Sequence, residues 1–348
     1  MKIDADLHNF GQQVTQVWRA SEIYFQKPRP VYWEWFFFGK NSPLRPIFNQ
    51  QNASSKKISE TLFNLDVHFE NGDCGSSKQV VEVDAACKPS HAYGLGVLLA
   101  YCYLFGIRDL HKGNVIRSGT HLQVIDAEVV FSKLLLPNET LLLPFKDVSS
   151  EICAAQKSFG DDITAIDLES LKLVLSGYLD LLSVTLEKRD QLVELLKNHR
   201  EKMLTVPIRH IMRNTAHYRL WRENQTPPTI PFCADELKQL ERGDVPYYFK
   251  FIGDTNLYAY TKPTGEYDAI TAPIEFQKGI NRDATDPLEL LTASRLNDEL
   301  LPTGSLFILK KLMPKGFTGS IDGGNFSAAV TDQNLQINFA GKTFTAKL

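Results

Sequence analysis

A short polar loop between two apolar segments is the feature that most limits what this chain can fold into. The loop occupies residues 107–116, with Asp109 five positions ahead of Asn114, and residues 124–128 then carry Asp126, seventeen positions after Asp109. One Asp that accepts a hydrogen bond from a hydroxyl, together with an Asn and a second Asp that bind Mg²⁺, is nearly sufficient for phosphoryl transfer. A turn in which Asp and Asn merely cap the backbone is the simpler alternative. We prefer the interpretation of this segment as a catalytic loop, because two independent spacings and the apolar flanks are consistent with it.

The same spacing is found in the catalytic loop of kinases, which predicts an enzyme that uses ATP and Mg²⁺. Asp109 would orient the accepting hydroxyl. His111 occupies the position where protein kinases usually place a Lys directed at the transferring phosphate, so it could contact that phosphate or act as an acid–base group. Considered alone, His111 would be a turn residue that bonds to the backbone.

Magnesium ligands are predicted at Asn114, Asp126 and Glu128. Asp126 and Glu128 are separated by one residue at a strand end, so their side chains should point the same way and could share the ion. The alternative for Glu128 is a carboxylate that faces solvent.

A cation for the nucleotide phosphates is expected on an N-terminal strand. Lys27 is the best candidate, with Lys40, Lys78 and Lys88 as rivals. A lone Lys is usually a solvated surface residue, so spacing cannot decide among them.

Composition limits the classes of partner. The chain has 348 residues, 43% of them hydrophobic and 23% charged, with a net charge of −3, which gives no electrostatic reason to expect nucleic acid or an anionic membrane as a partner. The N-terminus lacks the apolar region of a signal peptide, and the most apolar run, residues 95–105, is too short to span a bilayer. Five scattered cysteines without a CxxC motif predict neither a disulfide framework nor structural zinc, and favour the cytoplasm.

The predicted fold class is α+β, with two lobes and a C-terminal appendage. We expect an N-lobe over residues 1–88, a mainly helical C-lobe over 89–255, and an appendage over 256–348 that ends in a small β meander. Predicted strands lie at residues 14–18, 23–26, 63–69 and 79–84, and the Lys27-Pro-Arg-Pro segment should stop strand pairing. Predicted helices lie at residues 93–105, 163–176, 190–203 and 207–221.

A basic segment lies in the last of these predicted helices. Arg209 and Arg213 are four residues apart and would share a helical face that could clamp a phosphate. A basic exposed face that balances nearby acids is the alternative that local sequence favours.

Six blocks, in order over residues 6–248, resemble the dehydratase domain of class II lanthipeptide synthetases (the LanM type). They are Asp6-Leu-His8-x-x-Gly11-x-x-Val14, Tyr24-Phe-Gln-Lys27-Pro-Arg29, Asp109-Leu-His111-x-x-Asn114, Ile125-Asp126-Ala-Glu128, Arg209-His-Ile-x-Arg213-x-Thr215-x-x-Tyr218 and Gly243-Asp-Val-Pro-Tyr247. The last hundred residues contribute nothing to this resemblance.

The resemblance implies a fold similar to protein and lipid kinases and a two-step activity on a ribosomally made precursor peptide. Ser and Thr side chains would be phosphorylated and phosphate then eliminated, which leaves dehydroalanine or dehydrobutyrine. By position, the residues that match the phosphorylation set are Lys27, Asp109, His111, Asn114, Asp126 and Glu128. Those that match the elimination set are Asp6, His8, Arg209 and Thr215, with His8 oriented by Asp6 as a proton-transfer group.

Two departures from that family shape the expected partners. The chain begins almost on the D-x-H motif, and no cysteine–histidine cluster that could form a cyclase zinc site follows. We therefore expect a stand-alone dehydratase that works with a separate cyclase or other tailoring enzyme. The alternatives are a kinase of a protein or small molecule without elimination and, ranked last, a pseudo-kinase that only binds nucleotide.

Overall fold

The computed structural model describes residues 6–49, 53–83, 89–119, 121–144, 153–159, 166–224 and 228–348. Its fold is α+β, with a β-rich N-terminal region and a mainly helical middle, which confirms the predicted class.

The N-terminal region is built on an antiparallel sheet with the strand order β1-β2-β4-β3. The strands are β1 (Thr15–Arg19), β2 (Glu22–Pro30), β3 (Val67–Asn71) and β4 (Cys74–Lys78). Ala20 and Ser21 both have positive φ, as the tight turn of a twisted hairpin requires. The first hairpin is confirmed. The strand predicted at 63–69 overlaps β3 at residues 67–69, the one predicted at 79–84 is wrong for residues 79–83, and Asp84 lies outside the described residues.

The proline segment after Lys27 continues β2 instead of ending it. Pairing of β1 with β2 stops at Gln26, whereas β4 continues to pair with Lys27 and, after a register shift, with Pro30. Beyond Gln26 the strand therefore has one neighbour, and a proline without an N–H is tolerated at such an edge. The prediction that Lys27-Pro-Arg-Pro stops pairing was wrong for this reason.

Helices pack an aromatic core against this sheet. They are α1 (Tyr32–Phe38), α2 (Arg45–Phe48), α3 (Ala53–Leu62) and α4 (Pro89–Phe105). The rings of α1 interleave with those of α4, as where Phe37 meets Tyr101 and Phe105. This buried contact joins the N-terminal region to the helical middle.

The end of α4 fixes where the predicted catalytic loop begins. Gly106 has φ +61 and the N–H of Ile107 donates to the carbonyl of Cys102 at 2.8 Å, which is a Schellman ending. A Cβ at Gly106 would lie 2.0 Å from the carbonyl oxygen of Ser132, so only glycine fits there. The loop then leads into the hairpin of β5 (Val115–Ser118) and β6 (His121–Val124). The predicted helix and hairpin are confirmed.

The helical middle continues with a 3₁₀ turn and three helices. These are Pro137–Thr140, α5 (Gln156–Phe159), α6 (Leu168–Glu187) and α7 (Arg189–Met203). The helix predicted at 190–203 is confirmed. The one predicted at 163–176 begins at Leu168 and runs further, and residues 163–165 lie outside the described residues.

The helix predicted at 207–221 is wrong in its first half. Residues Ile208–His210 form strand β7, and helix α8 begins at Thr215 and runs to Asn224. Arg209 and Arg213 therefore do not share a helical face.

A second antiparallel sheet follows, with the strand order β10-β9-β8-β7. Helix α9 (Ala234–Glu241) precedes β8 (Tyr248–Lys250), β9 (Leu257–Tyr260) and β10 (Tyr267–Ile270). The domain boundary expected at residue 255 falls between two strands of this sheet.

The C-terminal region ends in the antiparallel meander that the sequence predicts. Short helices precede it: α10 (Gln277–Ile280), α11 (Pro287–Leu290), a π-helix (Arg295–Gly304) and α12 (Ser305–Leu312). Its strands are β11 (Gly319–Asp322), β12 (Phe326–Val330), β13 (Asn334–Phe339) and β14 (Lys342–Lys347). The apolar face of the meander joins the main core through Leu335, Ile337 and Phe339.

The cysteines among the described residues are free thiols, namely Cys74, Cys102, Cys153 and Cys233. Cys87 lies outside the described residues. Within the described part of the chain, no helix has the length and apolar character that crossing a bilayer requires.

Candidate active site

Lys27 is buried next to two carboxylates. Its Nζ donates to Glu34 Oε1 at 2.8 Å and to the carbonyl of Ile125 at 2.7 Å, and it lies 3.5 Å from Asp126 Oδ1. The side chains of Lys27 and Glu34 are 6% and 1% exposed. A buried ammonium group persists only with such partners, so β2 and α1 together hold a fixed cation beside Asp126.

The rival lysines lie elsewhere. Lys40 pairs with Asp66 and Lys78 pairs with Glu22, both at the surface. Lys88 lies outside the described residues. Among the described candidates, Lys27 is the one that contacts Asp126.

Charges of alternating sign continue from Asp126 to Arg209. The Arg29 guanidinium bonds to Asp126 Oδ1, to Glu34 Oε1 at 2.6 Å and, through Nε, to Glu128 Oε2 at 2.9 Å. Arg209 Nη1 donates to Glu128 Oε1, and the hydroxyl of Tyr247 donates to Glu128 Oε2 at 3.1 Å. Glu128 is therefore buried, and both of its oxygens accept hydrogen bonds, so the alternative that it faces solvent is wrong.

The backbone reinforces this arrangement. The N–H of Arg209 donates to the carbonyl of Glu128 at 2.9 Å, so strand β7 runs beside the segment that follows β6. The Arg209 guanidinium also stacks on the ring of Tyr247, 5.3 Å from its centroid. These contacts bring Arg209, which is more than eighty residues away in sequence, into the same site.

The guanidinium groups keep both carboxylates ionised. Burial alone would raise the pKa of Asp126, but Arg29, Lys27 and Arg209 outweigh it and hold that pKa well below its usual range. Burial also opposes ionisation of Glu128, and Arg209 and Arg29 lower its pKa.

The predicted catalytic loop is held by its own polar side chains. Asn114 Nδ2 donates to the carbonyl of Asp109 at 2.8 Å, and the N–H of Ile125 donates to the carbonyl of Asn114 at 2.9 Å. Asp109 has φ +64, a left-handed conformation that non-glycine residues adopt at an energetic cost and that is often found at functional sites. Asn114 thus holds Asp109 in this turn and lies beside residues 125–126.

His111 has a defined ring orientation. The N–H of Gly113 donates to His111 Nδ1 at 3.0 Å, so the proton of the neutral ring resides on Nε2. A Cβ at position 113 would lie 2.9 Å from His111 Cε1, so glycine leaves room for the ring. His111 can therefore donate a hydrogen bond from Nε2.

Asp109 is electrostatically coupled to this cluster. Burial raises the pKa of its carboxyl, Arg209 and His111 act in the opposite direction, and Asp126 and Glu128 raise it further. A carboxylate with a raised pKa is a better proton acceptor than an ordinary Asp.

His8 belongs to the same neighbourhood but is oriented differently from the prediction. Its Nδ1 donates to the carbonyl of Val245 at 2.8 Å, and its ring packs edge-on against Tyr247. Burial and then Arg209 lower the pKa of His8, which favours the neutral ring with a free Nε2. Val245 orients the imidazole, whereas Asp6 is exposed.

Two residues of the basic segment lie apart from this cluster. Thr215 begins helix α8 and is half-buried, and no hydrogen bond among the described residues joins it to Arg209. Arg213 is buried and makes a bidentate pair with Glu236, at 2.6 and 3.0 Å. Both earlier interpretations of Arg213, as a phosphate clamp and as an exposed cation, are therefore wrong.

The donor set for magnesium is partly suitable. Asn114 and Asp126 supply oxygen atoms, and the Asp126 side chain is 30% exposed, which leaves room for an ion that retains waters. Glu128 does not fit, because two arginines and a tyrosine occupy its oxygens. The described residues contain no cluster of three His, Cys, Asp or Glu side chains that could hold an ion alone.

A cavity of about 360 Å³ opens beside Arg29. Half of the residues that line it are aromatic or proline, and the aromatic members are Phe249, Phe251, Tyr260 and Tyr267. The other half includes charged and polar side chains, among them Arg29, Lys262 and Thr264. The cavity therefore has a mixed apolar and polar lining next to the charged site.

Two residues of the charged cluster, Glu34 and Arg29, were not predicted as site residues from the sequence. Glu34 is the acid within a run of aromatic residues on α1. An acid at such a position must be buried and therefore paired, which was the available signal. Arg29 alternates with Lys27 along β2, so both side chains lie on one face of the strand.

Comparison with known proteins finds a match to a family model and none to a curated protein. No curated protein matches the chain. Residues 3–169 match the family model described as a domain of unknown function, DUF4135. This range includes every predicted site residue except Arg209 and Thr215, and over it the chain is similar to that domain family.

Proposed function

We propose that this chain phosphorylates Ser and Thr side chains of a precursor peptide with ATP and Mg²⁺ and then eliminates the phosphate. The observation that carries the proposal is the buried contact of Lys27 with Glu34 and Asp126, which Arg29 and Glu128 link to Arg209. A Lys–Glu pair between a strand and a helix, with an Asp for Mg²⁺, is the arrangement that kinases use. The resemblance of the six motif blocks to the LanM dehydratase domain supports a peptide substrate, and four of these blocks lie within residues 3–169, which are similar to DUF4135.

In the first step, the substrate hydroxyl oxygen attacks the γ-phosphorus, the bond to the β-phosphate oxygen breaks and ADP leaves. Asp109 accepts the hydroxyl proton, as its raised pKa favours, and Lys27 neutralises phosphate charge. His111 donates to the transferring phosphate from Nε2. Asn114 and Asp126 would hold Mg²⁺, which when bound neutralises charge on the phosphates.

In the second step, the Cα proton of the phosphorylated residue is removed, the Cβ–O bond breaks, a Cα–Cβ double bond forms and inorganic phosphate leaves. Arg209 lies beside the first site and stabilises the departing phosphate. His8, whose pKa is lowered and whose Nε2 makes no hydrogen bond among the described residues, accepts the Cα proton in this scheme. Glu128 aligns Arg209 in this scheme and does not bind metal.

Mass spectrometry tests the activity. The chain is incubated with ATP, Mg²⁺ and a library of Ser- and Thr-containing peptides. The proposal expects modified peptides that are lighter by about 18 Da per residue, since phosphorylation followed by elimination removes one water. No mass change in any peptide, with ATP not consumed, would contradict it.

The second candidate is a kinase without elimination activity, in which Arg209 only binds phosphate. The Arg209→Ala variant separates the two. In a dehydratase it should accumulate peptides heavier by about 80 Da per phosphate, because transfer continues and elimination stops. In a plain kinase the wild type already gives this product, and the variant only slows it.

A further inference from the structure

A buried carboxylate from the C-terminal region contacts the predicted catalytic loop. Asp283, 3% exposed, accepts from Arg108 Nη1 at 3.0 Å and from the Ser132 hydroxyl at 2.7 Å through Oδ1. Through Oδ2 it accepts from His210 Nδ1 at 2.7 Å. One side chain therefore joins three segments that are remote in sequence.

Two of these segments carry the residues of the proposed chemistry. Arg108 directly precedes Asp109, and His210 directly follows Arg209. The third, at Ser132, pairs with the loop start, because the N–H of Ser132 donates to the carbonyl of Gly106 at 3.0 Å. Asp283 therefore links the segment that carries Asp109 to the segment that carries Arg209.

The segment that carries Asp283 is itself held firmly. Lys250 Nζ, buried on β8, donates to the carbonyl of Ile280 at 2.6 Å and to that of Asp283 at 3.2 Å. The N–H of Gly253 donates to the carbonyl of Ala284 at 2.9 Å. Asp283 is thus anchored by the second sheet.

We infer that Asp283 is a positioning residue for both steps of the proposed function, on which this inference rests. It sets the geometry of Asp109 through Arg108 and of Arg209 through His210, without touching substrate. It lies outside residues 3–169 that match the family model and outside the six motif blocks, so nothing in the local sequence marks it. In the loop itself the contact is made by Arg108, which pairs with the Asp283 carboxylate of the same chain.

The test compares Asp283→Asn with Asp286→Asn. Asp286 is three residues away and also engaged, since it caps α11 and pairs with Arg200, but it does not contact the catalytic loop. Hydrogen exchange measured by mass spectrometry reports the geometry without needing activity. We expect faster exchange across residues 107–116 and 208–212 in Asp283→Asn and not in Asp286→Asn. Unchanged exchange in either segment of Asp283→Asn would overturn the inference.

Enzyme kinetics provide the second readout. Circular dichroism first checks that both variants are folded. Displacement of a catalytic group by about 1 Å can cost on the order of 100-fold in rate. In Asp283→Asn we expect kcat for phosphorylation, and for phosphate release from a phosphoserine peptide, to fall by about this factor with the KM for ATP unchanged. Loss confined to KM would overturn the inference. A wild type with no activity would refute the proposed function and with it the catalytic role of Asp283, whereas the exchange comparison would still show whether Asp283 holds the two segments in place.

Discussion

The carboxylate of Glu128 lies between the guanidinium groups of Arg29 and Arg209, and its removal should weaken the fold. Breaking a buried pair by removing one partner typically costs about 3–5 kcal/mol, because an uncompensated charge stays behind. We expect Glu128→Gln to lower the free energy of unfolding at pH 7 by about 3 kcal/mol in urea titrations. The exposed pair of Lys262 and Glu266 provides the control, since Glu266→Gln should cost less than about 0.5 kcal/mol.

The pairing of Glu128 with the two arginines also predicts that the stability of the protein depends on pH. The pKa of Glu128 is lower in the folded state than its unfolded value of about 4.3, so its stabilisation is fully present above that pH. It is lost as the pH falls through the folded pKa. The stability difference between wild type and Glu128→Gln should therefore narrow below about pH 4. A difference that stays constant from pH 7 to pH 3 would contradict the assignment.

Single residues with a local signature could be predicted from the sequence, and their distant partners could not. The positions of Asp109, Asn114 and Asp126 follow from spacing within one loop and hairpin. Arg29 and Glu34 carry local signals, but these do not indicate which residues they contact, and Asp283 carries no local signal at all. For Asp6 the motif gave a role that the structure assigns to a backbone carbonyl, because a carbonyl leaves no signature in the sequence.

At the scale of elements, glycines set the distance between α4 and α6. A Cβ on Gly96 would lie 1.9 Å from the carbonyl oxygen of Val174, and one on Gly177 would lie 2.2 Å from that of Tyr93. The two helix backbones are therefore in contact, and any side chain would force them apart.

Gly96→Ala should destabilise the protein by about 2 kcal/mol or more through overpacking, as measured by chemical unfolding. Gly94 is the matched control in the same helix, where a Cβ would be 3.5 Å from Thr61 Cγ2, an ordinary contact. Gly94→Ala should be neutral or stabilising by up to about 1 kcal/mol, because alanine favours helix. Equal stability of the two variants would show that the helices are not closely packed.

Element prediction failed where tertiary pairing overrode local chemistry. Pro28 and Pro30 are typical of the end of a strand. Strand β2 nevertheless continues past them, because beyond Gln26 it pairs with β4 alone and is an edge strand. Arg209 and Arg213 have helical spacing, but residues Ile208–His210 pair with β8 as a short strand. The buried helix α4 was found because its long apolar run, ended by a glycine, needs no partner information.

At the scale of the molecule, the C-terminal meander shares the main core with the helical middle. Strand β13 places Leu335 and Ile337, both fully buried, in the same cluster as residues of α4 and α6. The alternation of apolar and polar residues predicted the meander but not where it packs, because an apolar face does not indicate which surface will cover it.

Ile337→Ala should lower the free energy of unfolding by about 2–5 kcal/mol, the usual range for emptying a buried aliphatic site. Unfolding followed by far-UV circular dichroism checks this. The exposed Thr345→Ala on β14 should change stability by less than about 0.5 kcal/mol. An Ile337→Ala protein with wild-type stability would mean that the meander is not part of the main core.

Calorimetric titration with MgATP tests the central claim most directly, because Lys27, Asn114 and Asp126 are proposed to face one nucleotide. Wild type should bind, and Lys27→Met should bind at least about tenfold more weakly, which corresponds to about 1.4 kcal/mol. Lys40→Met, which removes an exposed lysine paired with Asp66, should bind as wild type does. A wild type that does not bind MgATP, or a folded Lys27→Met that binds as tightly as wild type, would contradict the account.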